Sequence, residues 1–270
     1  MNAVTLTLRA RPALAVDCSP LNPDRLAGKS LDAIAAITLQ SGNRCLSVGE
    51  LFDLDRAAGE GVVIRHSCAK LDRVGAGMVA GALRVEGDVG AWLGAGLAGG
   101  AIDVSGSAGA FAASGMAAGT LHVRGDVGDF LGAALAGNKQ GMLGGQVIVD
   151  GNAGDRVGDH MRRGMLLIGG NAGDYCGSRM LAGTIIVHGR TGTLTGYGMK
   201  RGTLLLAEKP DLPATFNDCG THNLAFLHLL ARHLASAGEA AAPFAPRYER
   251  IQRFVGDLAN GGVGEILVVA

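Results

Sequence analysis

Residues 161–179 read MRRGMLLIGGNAGDYCGSR and residues 180–198 read MLAGTIIVHGRTGTLTGYG. Laid one above the other, both open on a methionine, reach a glycine three residues later (Gly164, Gly183), and carry apolar residues two and four positions beyond it (Leu166/Ile168, Ile185/Val187). Working outward, the same unit is anchored at Gly81, Gly100, Gly119, Gly145, Gly164, Gly183 and Gly202, with steps of 19, 19, 26, 19, 19 and 19; the long step is one period plus seven residues, inserted within residues 132–140. A fixed period means equivalent units that stack.

Each offset has its own chemistry. Met78, Leu97, Met116, Met142, Met161, Met180 and Met199 stand three residues before the glycines and use six of the chain's eight methionines. A flexible thioether fills irregular gaps, so this column reads as core and not as a metal ligand. Alternation at period two after each glycine is the mark of a strand with one buried face. Hairpins would reverse every second strand and break the columns, whereas parallel stacking keeps them aligned. The pattern therefore predicts an all-β chain, a right-handed parallel β-helix of about seven 19-residue coils over residues 61–207, each coil about 4.8 Å above the last. Small α/β caps flank it, at residues 1–60 and 208–270.

Composition agrees: with 45 glycines and only 4% aromatic residues, small side chains in columns must do the packing. Lys+Arg and Asp+Glu are each 24, which gives no global drive toward nucleic acid or a membrane surface. No apolar run is long enough to span a bilayer, and residues 1–16 are broken by Arg9, Arg11 and Pro12, so a cytoplasmic location is expected. The five cysteines contain no C-x-x-C pair and read as reduced thiols; Cys219 with His222 lacks a second pair, and no metal is expected. Gly28-Lys29-Ser30 resembles the end of a phosphate-binding loop, but Pro23 stands where its first glycine is required.

In the flanks, Val4, Leu6 and Leu8 predict a strand, and Ser30 a helix cap. Beyond Pro213, residues 221–237 predict a helix with Leu224, Leu227, Ala231 and Leu234 on one side, and residues 248–255 and 265–269 a terminal hairpin around Asn260-Gly261-Gly262.

Three outward columns carry the functional information. Between the two buried strand positions, Arg84, Asp103 and His122 give way to Ile148, Leu167, Ile186 and Leu205. That apolar stripe is either covered by the chain's own helix or is a partner interface. A second column holds Arg73, Trp92, Phe111, Phe130, Arg156, Tyr175 and Leu194; arginine interleaved with aromatics is interface chemistry, so Trp92, Phe111, Phe130, Arg156 and Tyr175 are candidate partner contacts. A third is basic in the late repeats (His160, Arg162, Arg163, Arg179, Lys200, Arg201), an expected site for an acidic partner or polyanion. The columns supply no nucleophile–base–orienter set, and no catalytic residue is assigned.

The repeat G-x-x-x-[ML]-x-x-G-x-[ILV]-x-V-x-G resembles the glycine-rich β-helix at the C-terminus of the glutamate synthase large subunit, and more closely the C subunit of formylmethanofuran dehydrogenase. The resemblance runs through the repeats and, more loosely, both flanks, including Gly264-Glu265-Ile266. In archaea that subunit belongs to a tungsten or molybdenum enzyme. Methylotrophic bacteria have a related formyltransferase/hydrolase complex handling formyl groups between tetrahydromethanopterin and a methanofuran analogue in one-carbon metabolism, and the Ala/Gly/Arg-rich wording here is similar to that version. The resemblance implies a non-catalytic scaffold in a hetero-oligomer, with the active sites in amidohydrolase-like and formyltransferase subunits. It also implies a carrier with a glutamate-rich tail, for which Arg162, Arg163, Arg179, Lys200 and Arg201 are the candidate contacts; no cofactor is assigned to this chain alone. A glutamate-synthase-like module and a free-standing β-helix enzyme are the alternatives. The former needs amidotransferase and flavin domains, and the latter a hexapeptide period or clustered carboxylates.

Overall fold

The computed structural model describes residues 2–245 and 250–269. The chain is mostly β, and thirteen strands form one mixed sheet. In chain order they are β1 (Asn2–Leu8), β2 (Phe52–Ala58), β3 (Val62–Ser67), β4 (Ala82–Gly87), β5 (Ala101–Val104), β6 (Thr120–Val123), β7 (Leu143–Val149), β8 (Arg163–Ile168), β9 (Thr184–Val187), β10 (Thr203–Leu206), β11 (Asn217–His222), β12 (Ile251–Gly256) and β13 (Gly264–Val269). From β3 to β10 each strand pairs parallel with the next one in the chain, so Leu83, Ile102, Leu121, Val147, Leu166, Ile185 and Leu204 lie side by side. The columns of the sequence are columns in space.

Neighbouring repeats also meet away from the sheet. A line of parallel bridges joins Val89, Ala108, Val127, Ala153, Ala172 and Thr191. A further line of backbone bonds runs Gly94 N–H to Val74 C=O, Ala113 to Leu93, Gly132 to Ala112, Gly158 to Leu131, Gly177 to Val157 and Gly196 to Cys176. Each repeat therefore satisfies its backbone against the next along much of its length, which is what permits strands of only four residues.

The anchor glycine has two causes. Its φ is positive (84° at Gly100, 97° at Gly164, 103° at Gly202), a region L-residues avoid. In addition, a Cβ at Gly100 would lie 2.6 Å from the methyl of Met78, and one at Gly164 2.8 Å from that of Met142. The methionine of one repeat ends against the glycine of the next, and the whole Met/Leu column is fully buried. Met-x-x-Gly is thus a packing motif that acts between repeats.

The seven extra residues are 134–140. Gly132 and Ala133 keep their places in the column, and Met142 N–H returns to Gly132 C=O at 2.8 Å, so the ladder closes beneath an exposed loop.

At the N-terminal end, β1 pairs parallel with β3 and antiparallel with β2. Two of the short helices there, α1 (Pro23–Leu26) and α2 (Leu31–Ala35), pack nearby; Ser30 caps α2 by accepting from Ala33 N–H at 3.2 Å. At the other end β13 adds parallel to β10, with Leu204 opposite Ile266. The terminal hairpin forms as β12 and β13, the β12 side opening at Ile251; the expected start at Tyr248 lies outside the described residues.

The C-terminal helix, α3 (Ala225–Ser236), begins later than the sequence pattern suggests. Asn217–His222 instead forms β11, an exposed polar edge strand paired antiparallel with β12. Its sequence has no apolar alternation, so only the presence of β12 makes it a strand.

Candidate interaction surfaces

The apolar stripe is closed from within. Ile148, Leu167, Ile186 and Leu205 are buried in a second core with Leu227 and Leu234 of α3, Phe244, Ile251 and Leu267. The partner-interface expectation for these four residues is therefore corrected: the chain's own helix covers the late half of the face. The early half, too short of apolar surface to hold a helix, is sealed by ion pairs instead. Asp103 meets Arg124 Nη2 at 3.1 Å, and His122 Nε2 lies 3.0 Å from Asp150.

The Arg/aromatic column is a continuous ladder on the surface. Arg73 lies 5.0 Å above the Trp92 ring, Trp92 stacks on Phe111 (6.1 Å), and Phe111 on Phe130 (4.6 Å, planes 3° apart). Arg156 then sits between Phe130 (6.0 Å) and Tyr175 (4.5 Å), and Tyr175 meets Tyr197 edge-on at 6.1 Å. Trp92, Phe111, Phe130, Arg156 and Tyr175 are all half-buried, so each keeps a face to solvent.

The sequence pattern did not reveal the backbone beneath this ladder. Every member is left-handed: φ is 57° at Arg73, 60° at Trp92, 62° at Phe111, 65° at Phe130, 59° at Arg156, 60° at Tyr175 and 55° at Leu194. Glycine is the unstrained residue there, and a bulky side chain costs about 1 kcal/mol or more. Two residues on, the next left-handed corner is glycine in every repeat but one, where Ala113 stands.

A second feature went unread. Asp88, Ser107, Asp126, Asn152 and Asn171 each accept the backbone N–H of the residue one repeat above, at 2.7–3.1 Å, and Asp129, Asp155 and Asp174 do the same in a parallel line. These short polar side chains pin the corners; the recurring Asp/Asn/Ser column was the available signal.

The basic corner divides in two. Arg179 grips Asp159 through both oxygens (Nε–Oδ1 2.9 Å, Nη2–Oδ2 2.6 Å), and Ser178 Oγ donates to the same carboxylate at 2.7 Å. Lys200 Nζ donates to the Asn260 carbonyl oxygen. Arg162, Arg163 and Arg201 are exposed and make no ion pair among the described residues. Three of the five candidate contacts thus keep their charge for something else.

Burial raises the Cys176 thiol to about 12 and pushes that of Cys18 up as well, so both pack as apolar groups. Half-burial against Phe244, whose ring stacks at 4.6 Å, lowers the pKa of His188. Among the described residues no group of His, Cys, Asp and Glu is arranged to hold a metal ion, and no helix is long and apolar enough to cross a membrane.

The fold and its surfaces define a glycine-cornered repeat protein whose side-chain chemistry lies on flat outer faces. The GXGXG motif family matches residues 82–221. Across 98% of its length the chain superposes, at a TM-score of 0.91 and 42% identity, on 99% of a chain in the crystal structure of the formyltransferase/hydrolase complex (FhcABCD) from Methylorubrum extorquens with methylofuran. The C subunit of the Methylorubrum extorquens formyltransferase/hydrolase complex Fhc is 42% identical over 86 residues, and the C subunit of a tungsten-containing formylmethanofuran dehydrogenase 2 from Methanothermobacter thermautotrophicus 34% identical over 98. Those two alignments span about a third of either partner (32% and 32%; 34% and 36%). The chain belongs to the GXGXG family, as a member of its formylmethanofuran dehydrogenase C-subunit branch.

Proposed function

We propose that this chain is a non-catalytic structural subunit of a cytoplasmic formyltransferase/hydrolase complex, which moves formyl groups between tetrahydromethanopterin and a methanofuran-type carrier. The observation that carries the reading is the end-to-end superposition at 42% identity on a chain of such an assembly. The repeats wind as a right-handed parallel β-helix over residues 61–207, between a cap at 1–60 and an extension at 208–270. In-register pairing of β3 to β10 and the second line of bridges support that winding. A prism with flat faces suits a subunit that orients amidohydrolase-like and formyltransferase neighbours.

Arg162, Arg163 and Arg201 are the part of the basic corner offered to the carrier's acidic tail or to an acidic neighbour. Reversing all three charges weakens carrier retention or assembly, read by native mass spectrometry and turnover; unchanged assembly and turnover exclude the role. Co-purification of the untagged chain with larger partners tests the subunit reading itself.

A further inference from the structure

The ladder keeps bulky side chains where the backbone favours glycine, in six consecutive repeats from Arg73 to Tyr175. Stacking between rings returns about 0.5–1.5 kcal/mol per pair, comparable with the backbone strain, so intramolecular stacking alone gives little net reason to prefer these residues over glycine. Strain of this kind is kept where the side chain has a task.

The arginines differ in a way that identifies the partner. Arg73 pairs with Asp17 at 3.5 Å. Arg156 is half-buried between two rings and, among the described residues, donates to no side chain or carbonyl. A flanked guanidinium with unused N–H groups is a site lacking its acceptor.

Resting on the subunit reading above, we propose that the ladder docks a neighbouring protein subunit that lays an apolar surface over Trp92, Phe111 and Phe130 and directs a carboxylate at Arg156. Charge complementarity selects this occupant: the centre of the ladder is apolar, and its one unsatisfied group is a cation aligned by rings for bidentate pairing.

The test uses the complex purified through a tag on a partner subunit, with the full chain carrying Arg156→Gly, the pair Trp92→Gly and Phe111→Gly, or Leu194→Gly as control. All four positions have positive φ, so glycine relaxes the backbone in every variant. The expectation is that Leu194→Gly is retained like wild type. Arg156→Gly and the double variant should be retained at least tenfold less, with melting of the full chain within about 4 °C of wild type. Wild-type retention of both ladder variants overturns the proposal, as does equal loss in Leu194→Gly. So does an intact complex accompanied by loss of a self-association, or of polyglutamate binding, by the free chain. A wild-type chain that no partner retains sinks the subunit reading instead.

Discussion

At the residue scale, the Met-x-x-Gly contact sets how closely the repeats approach. Gly164→Ala places a methyl 2.8 Å from both Gly145 O and the Met142 methyl at a φ of 97°, and should cost about 2 kcal/mol or more, read as a fall in denaturation midpoint. Gly28→Ala, where a Cβ meets nothing within 4 Å but φ is still positive at 75°, isolates the backbone share and should cost less. His188 supplies a pH dependence. Its folded pKa is depressed by burial, so the unfolded chain takes up its proton first as pH falls. The stability contributed by neutral His188 is complete above the unfolded pKa of about 6.5 and declines below it. Thermal melts at pH 7.5 and 5.5 should differ, and His188→Gln should narrow the difference. These residues also show where sequence reading stops. The methionine column was legible because identity repeats at a fixed offset. The left-handed ladder was not, because side-chain identity there (Trp92, Arg156) contradicts the backbone's own preference.

At the element scale, the C-terminal helix and the insertion behave oppositely. Leu227 and Leu234 plug the stripe of Ile148, Leu167, Ile186 and Leu205, so Leu227→Ala with Leu234→Ala should cost about 4 kcal/mol or more and raise hydrogen exchange in α3 before the β4–β10 ladder. Deleting residues 134–140 restores the period of 19 and removes an exposed loop whose two ends are already joined by the ladder. The shortened chain should fold with its melting temperature within about 4 °C, checked by calorimetry. The stripe's two readings were both visible in the sequence, but only packing decides between them. A helix needs an apolar face to settle on, and β7 to β10 provide it. β11 was illegible because its pairing, not its composition, makes it a strand.

At the scale of the whole molecule, strands paired in parallel register from β3 to β10 are finished at each end by antiparallel strands, β2 beyond β1, and β12 with β11 beyond β13. The repeats are thereby fixed relative to one another, which places the ladder and the basic corner at constant positions on one rigid body. Net charge is zero, so association rests on these local patches and not on a global field. Native mass spectrometry of the untagged chain purified from its own cells tests this account most directly. The account predicts a mass well above 27.3 kDa, with this chain beside larger, different subunits and formyl transfer only in that assembly. A free monomer that carries the full formyl-transfer activity by itself would contradict it.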